Sequence, residues 1–121
     1  MVRPSKGRTR RWSVRLRAEI DELLERVAEE RGISKNDLLE AIILEWAYQN
    51  GYNKILHFNF RNNTITVWDS LLNATVDLVY EEPEKILYCT YCRSTKCGHI
   101  WAASRLPEVR EKVRRGELFI E

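Results

Sequence analysis

The 121-residue chain is poor in Cys, Pro, Gly and Met, with three, three, five and one of them, and it has only two His. No apolar run approaches the roughly 20 residues of a bilayer-spanning helix, so no membrane span is expected. The basic N-terminus is not followed by an apolar segment, as a secretory signal would be, and a cytoplasmic protein (host cytoplasm for a viral one) is expected. Three Cys cannot all pair with one another, and their confinement to residues 89–97 argues against a disulfide framework. No Ser/His/Asp set, glycine-rich phosphate loop or convergent acidic pair is visible, so an enzyme is not expected. With 44% hydrophobic and 31% charged residues the composition is ordinary globular, enough for one domain or two small units.

Acid is also missing from one region. Residues 1–17 hold Arg3, Lys6, Arg8, Arg10, Arg11, Arg15 and Arg17 with no Asp or Glu, while the remaining 13 basic and 18 acidic residues leave the rest acidic. Such segregation suits a phosphate-seeking arm. Residues 1–9, with Pro4, Ser5, Lys6 and Gly7, read as flexible. Arg3, Lys6, Arg8, Arg10 and Arg17 are candidate phosphate contacts; a solubilising tail is the plainer alternative.

Arg11-Trp12-Ser13-Val14-Arg15-Leu16 alternates strictly, placing Trp12, Val14 and Leu16 on one strand face and Arg11, Ser13 and Arg15 on the other. A lone strand ahead of two helices has no neighbouring partner, and the same strand of a second copy is the simplest one. The resulting two-stranded ribbon fits the major groove of double-stranded DNA, where Arg reads guanine and Ser reads either base type. Arg11, Ser13 and Arg15 are therefore candidate base readers, and the site expected of a twofold dimer is a short inverted repeat. The wet face of a sheet is the alternative for these three residues.

Between Ala18 and Arg31, Ile20, Leu23, Leu24, Val27 and Ala28 form one helical face, with Glu19, Asp21 and Glu22 in the first turn and Gly32 after the last. Ser34-Lys35-Asn36-Asp37 approximates a capping box for a second helix, whose apolar face is Leu38, Leu39, Ile42, Ile43, Trp46 and Ala47 and which Gly51 can end.

The alternating strand, the helix Ala18 to Arg31, the Gly32-Ile33-Ser34 link and the second apolar helix resemble a ribbon-helix-helix DNA-binding domain over residues 11–47. The resemblance implies an intertwined dimer whose paired strands enter the major groove, with Arg11, Ser13 and Arg15 as base readers and Ser34, Lys35 and Asn36 gripping a phosphate. Helix physics points the same way for the second trio, since free N–H groups and the positive dipole end attract anions. Arg17-Ala18-Glu19 stands where such domains often have Pro-Glu, which adds a cation near DNA.

After Gly51 the period becomes two. Lys54 to Phe60 and Thr64 to Asp69 flank Asn62-Asn63, a pair suited to a tight hairpin; Ala74 to Tyr80 is a third run and Ile86 to Tyr88 a short fourth. Helical sequence follows from Gly98 to Arg105, and Pro107 opens a last helix ending near Gly116. The fold class expected is α+β. It comprises an arm (1–9), a dimeric ribbon-helix-helix unit (10–50) and a small β-hairpin/zinc unit with terminal helices (54–121).

Cys89, Cys92, Cys97 and His99 supply three thiolates and an imidazole, the donor set of a closed tetrahedral zinc site. One structural Zn2+ per chain is expected, because four protein donors leave no position for an activated water. A redox C-x-x-C pair and inert buried thiols are the alternatives. His57, in a strand, is read as structural. The strands, Cys pair, Cys-x-His and Ile100-Trp101-Ala102-Ala103 are similar to SWIM-type zinc domains, which use C-x-C where this chain has C-x-x-C. Tyr88 to Val109 also looks like small zinc units that follow ribbon-helix-helix domains in archaeal and archaeal-virus proteins, which implies DNA or protein contacts.

These readings converge on a transcriptional regulator. Arg105, Arg110, Lys112, Arg114 and Arg115 would add flanking phosphate contacts or, interleaved with Glu108, Glu111 and Glu117, form a solvated surface. Competing expectations are an antitoxin-like module whose C-terminal half binds a protein partner, and a repressor that senses zinc.

Overall fold

The computed structural model describes Arg10, Arg11 and residues 13–121, apart from the side chain of Phe58. Arg3, Lys6, Arg8 and Trp12, singled out above, lie outside the described residues. The elements are α1 (Ala18–Arg31), α2 (Lys35–Gln49), β1 (Ile55–Arg61), β2 (Thr64–Asp69), β3 (Ala74–Val79), β4 (Tyr88–Cys89), α3 (Gly98–Ser104) and α4 (Pro107–Arg114). The architecture is mixed α and β, with one antiparallel sheet ordered β1-β2-β3-β4.

α1 occupies the span its apolar periodicity predicts. It stops because Gly32 takes a left-handed φ of 67°, which turns the Gly32 and Ile33 N–H groups back onto the Glu29 and Ala28 carbonyls at 3.1 and 3.0 Å. α2 starts where Ser34 Oγ accepts the Asp37 N–H at 3.0 Å, which satisfies an otherwise unpaired donor of the first turn. Residues 13–17 run exposed into α1 and are not a strand of the sheet, so among the described residues the 13–16 part of the expected ladder has no strand partner within this single chain.

In the sheet, Asn62 accepts a φ of 53° and brings Arg61 opposite Thr64. β1 lies one residue later than its alternation suggests, and β3 ends at Val79. The fourth strand is corrected from Ile86–Tyr88 to Tyr88–Cys89. Ile86 instead bridges Phe119 in parallel, while Val79 and Leu78 take Tyr88 and Cys89 as partners. Ile86 and Tyr88 are both strand-favouring, so long-range pairing with the chain end decides their roles.

One face of the sheet presents Ile65, Val67, Val76, Leu78 and Cys89, all buried, and α3 lies across it with Ile100 and Ala103. Val109 of α4 and Leu118 close the same core. Ala41 and Leu44 of α2 join it as well, whereas Leu38 packs with Leu24 and Ala28 of α1 in a second, smaller cluster. Packing therefore continues across residues 50–54 through α2. The helix pair keeps another face open: Ile20 and Leu23 of α1 and Ile42, Ile43 and Trp46 of α2 are 42–55% exposed. Among the described residues no helix is long and apolar enough to cross a membrane.

Candidate metal centre

Four donor side chains converge where β4 meets α3. Cys89 is the last residue of β4, and the chain turns back at once: the Arg93 N–H reaches the Cys89 carbonyl at 2.9 Å, and the Cys89 N–H reaches the Ser94 carbonyl at 2.8 Å. Within this knuckle the Cys92 N–H points at Cys89 Sγ, 3.3 Å away, and Arg93 takes a left-handed φ of 54°. Cys97 caps α3 in extended conformation, and His99 follows in the first turn. The alternation of β3 and β4 puts Cys89 on the apolar face, and the short helix lays Cys97 and His99 over it.

The donor atoms of Cys89, Cys92, Cys97 and His99 all lie within 4.8 Å of one another, and all four residues are buried. His99 Nδ1 is 3.6, 3.4 and 3.8 Å from the sulfurs of Cys89, Cys92 and Cys97. Zinc bonds of about 2.3 Å to sulfur and 2.0–2.1 Å to nitrogen, at tetrahedral angles, require N···S edges of about 3.6 Å. The three N···S edges match that geometry, and the cluster could hold one metal ion.

Its protonation follows from crowding. Hydrogen bonds from the Cys89 and Cys92 thiols, helped by His99, hold the Cys97 thiol far below its ordinary range despite burial. The other two move up, Cys89 through burial and Cys92 as hydrogen-bond donor to its neighbours. Burial alone would lower His99, but Asp69, Cys89 and Cys97 outweigh it and push it up to about 12. Without a cation, Cys97 is thus the sulfur most disposed to ionise, beside an imidazole that favours its protonated form. A divalent metal would claim all three thiolates and the Nδ1 lone pair.

Asp69, which the motif did not include, completes the arrangement. It ends β2, is fully buried, and its Oδ2 lies 2.6 Å from His99 Nε2. Burial would raise this carboxyl, yet the hydrogen bonds from His99 and the Leu72 N–H hold it below the usual carboxylate range. A signal was present in the sequence: Ile65, Val67 and Asp69 share one strand face, which puts an acid among core residues. His57 is exposed on β1 and outside the cluster.

The other candidate residues sit apart from it. Arg10, Arg11, Ser13, Arg15 and Arg17 are exposed before α1, whereas Ser34, Lys35 and Asn36 lie exposed beyond its far end. The two groups flank α1 in the sequence, but the Lys35 side chain reaches back to Asp21 in the first turn of that helix. Ser34 Oγ serves as the α2 cap, and Lys35 Nζ contacts Asp21 Oδ1 at 2.8 Å, a surface pair that raises the Lys35 pKa. Among the C-terminal cations, Arg114 and Arg115 pair with Glu111, Lys112 with Glu117, and the Arg105 guanidinium lies 5.8 Å from the centre of the Tyr48 ring.

Comparison with family models, curated proteins and solved structures found no match to this chain.

Proposed function

We propose that the chain is a homodimeric, sequence-specific double-stranded DNA-binding protein, a transcriptional regulator of ribbon-helix-helix type stabilised by one structural zinc ion per chain. The observation that carries this reading is the open apolar face of the helix pair. Ile20, Leu23, Ile42, Ile43 and Trp46 are about half exposed, and Val14 and Leu16 of the preceding segment are 49% and 38% exposed. Large apolar patches of this kind mark association surfaces. The same segment carries Arg11, Ser13 and Arg15 on its alternate positions, so covering the patch with a second copy brings two basic segments together as a ribbon.

In this reading the arm and Arg17 supply nonspecific phosphate attraction, the ribbon reads bases, and the start of α2 holds a flanking phosphate. Zinc fits the Cys3His donor set and the N···S edges of the cluster, and with four protein donors it serves structure and not catalysis. The C-terminal unit adds nucleic-acid or protein contacts.

Selection of bound DNA from a random pool tests the reading. The native protein is expected to enrich an inverted repeat, and Arg11→Ala and Arg15→Ala to relax the consensus at particular positions. Failure to enrich any sequence, or a consensus unchanged by both substitutions, overturns it.

A further inference from the structure

The two ring nitrogens of His99 face different chemistry. Nδ1 looks into the three sulfurs, while Nε2, on the far side of the ring, meets Asp69 Oδ2 at 2.6 Å. Both side chains are sealed from solvent, at 1% and 0% exposure. The other Asp69 oxygen is committed too, since Oδ1 accepts the N–H groups of Leu71 and Leu72, both at 2.9 Å. Those contacts clamp the carboxylate to the β2–β3 turn. The turn is held in its own right by Asn53, whose Oδ1 accepts the Leu71 N–H and the Ser70 hydroxyl at 3.0 Å each.

An ionised carboxylate can only accept, so the nitrogen facing it carries a proton, and Nδ1 is the nitrogen left to give up its own proton and offer a lone pair to a metal. We infer that Asp69 is a positioning residue of the metal centre: by accepting from His99 Nε2–H it fixes the ring orientation and the tautomer that presents Nδ1 as the fourth donor. This rests on the metal reading above and adds to it a residue 20 positions before the first cysteine. The contact also makes the imidazole a stronger donor, because negative charge at Nε2–H raises the electron density at Nδ1. Ligand placement is then specified from two directions. The Cys97-Gly98-His99 backbone sets where the ring starts, and the β2–β3 turn sets where it points.

Asp69→Asn is the sharp test because it keeps shape. Its carbonyl can still accept from Leu71 and Leu72, but its amide then faces Nε2 with a donor where an acceptor was. The ring must break that contact or move its proton to Nδ1, in direct competition with the metal. Zn2+ affinity, measured by competition with a chromogenic chelator, is expected to fall about 10–100-fold, as is usual on loss of an outer-shell partner. Heteronuclear NMR of the native protein loaded with Zn2+ or cadmium needs no variant: His99 should show metal at Nδ1 and a slowly exchanging proton on Nε2. Metal bound through Nε2, or Asp69→Asn affinity within twofold of native, overturns the inference while leaving the metal site intact. A native protein that takes up no metal overturns the site itself.

Discussion

Gly98 stands against the root of the Tyr48 side chain: a Cβ built on Gly98 would lie 3.3 Å from Tyr48 Cβ and 3.5 Å from Glu45 Cα. The start of α3, whose cap and first turn carry Cys97 and His99, is thereby pressed onto α2, the helix whose opposite face is open. Side chains at Gly98 larger than a methyl must push the two helices apart. Gly98→Val is expected to destabilise the metal-loaded protein by about 1–3 kcal/mol, the usual cost of overpacking. Gly98→Ala should stay within about 1 kcal/mol of native, as better helix propensity offsets the close contact. Urea denaturation of both variants checks this; equal stabilities would mean that the contact yields freely.

Removing the metal should cost the C-terminal unit its fixed packing, since Cys89, Cys92 and Cys97 are themselves core residues beside Ile100 and Leu78. Structural zinc commonly supplies folding free energy outright. Loss of about 3 kcal/mol would lower the melting temperature by roughly 10 °C in a chain of this size. Thermal melts with and without a strong chelator decide it, and coincident curves would contradict a structural role.

Loading should also release protons. Cys89, Cys92 and His99 are all shifted toward their protonated forms without metal, whereas the loaded cluster needs three thiolates and a free Nδ1. The expected release is about three protons per metal near neutral pH. Affinity therefore rises with pH and falls on acidification, as protons compete for the same donors. Titration of metal into weakly buffered protein with a pH indicator counts them; no release would mean that the thiols are already ionised.

Ile43 is 55% exposed on α2, away from the metal centre core. Ile43→Lys is expected to convert a dimer to a monomer and to weaken DNA binding although it touches neither ribbon nor phosphate. Sedimentation equilibrium and DNA titration test both effects. A native monomer at micromolar concentration would remove the basis for the ribbon.

Ser34 and Lys35 should separate stability from binding. Ser34→Ala removes the α2 cap and is expected to cost about 1 kcal/mol of stability. Lys35→Ala breaks only a half-exposed surface pair, so it should leave the melt nearly unchanged. Its effect should appear instead in the salt dependence of DNA binding, where each lost phosphate contact lowers the slope by about 0.9. An unchanged slope would take Lys35 out of the interface.

Local pattern sufficed for much of this molecule. The span of α1, the Ser34 cap, β2 and the opening of α3 at Gly98 follow from periodicity and end signals, because near neighbours along the chain settle them. The donor quartet was legible for the same reason: its spacing is short, and thiolates with imidazole have few other joint uses. The pairing of Asp69 with His99 was not, because the two are 30 residues apart and only the sheet register and the seat of α3 bring them together.

α2 shows the division best. Its composition determined that it is a helix with a broad apolar surface. Which side that surface serves was decided by tertiary packing: Leu38 and Ala47 are buried, Ile42, Ile43 and Trp46 are open, and Ala41 and Leu44, outside the expected face, enter the sheet core. A helical wheel ranks positions by hydrophobicity, but small residues such as Ala41 and Gly98 matter through how closely they let two backbones approach. That closeness exists only once the chain has folded.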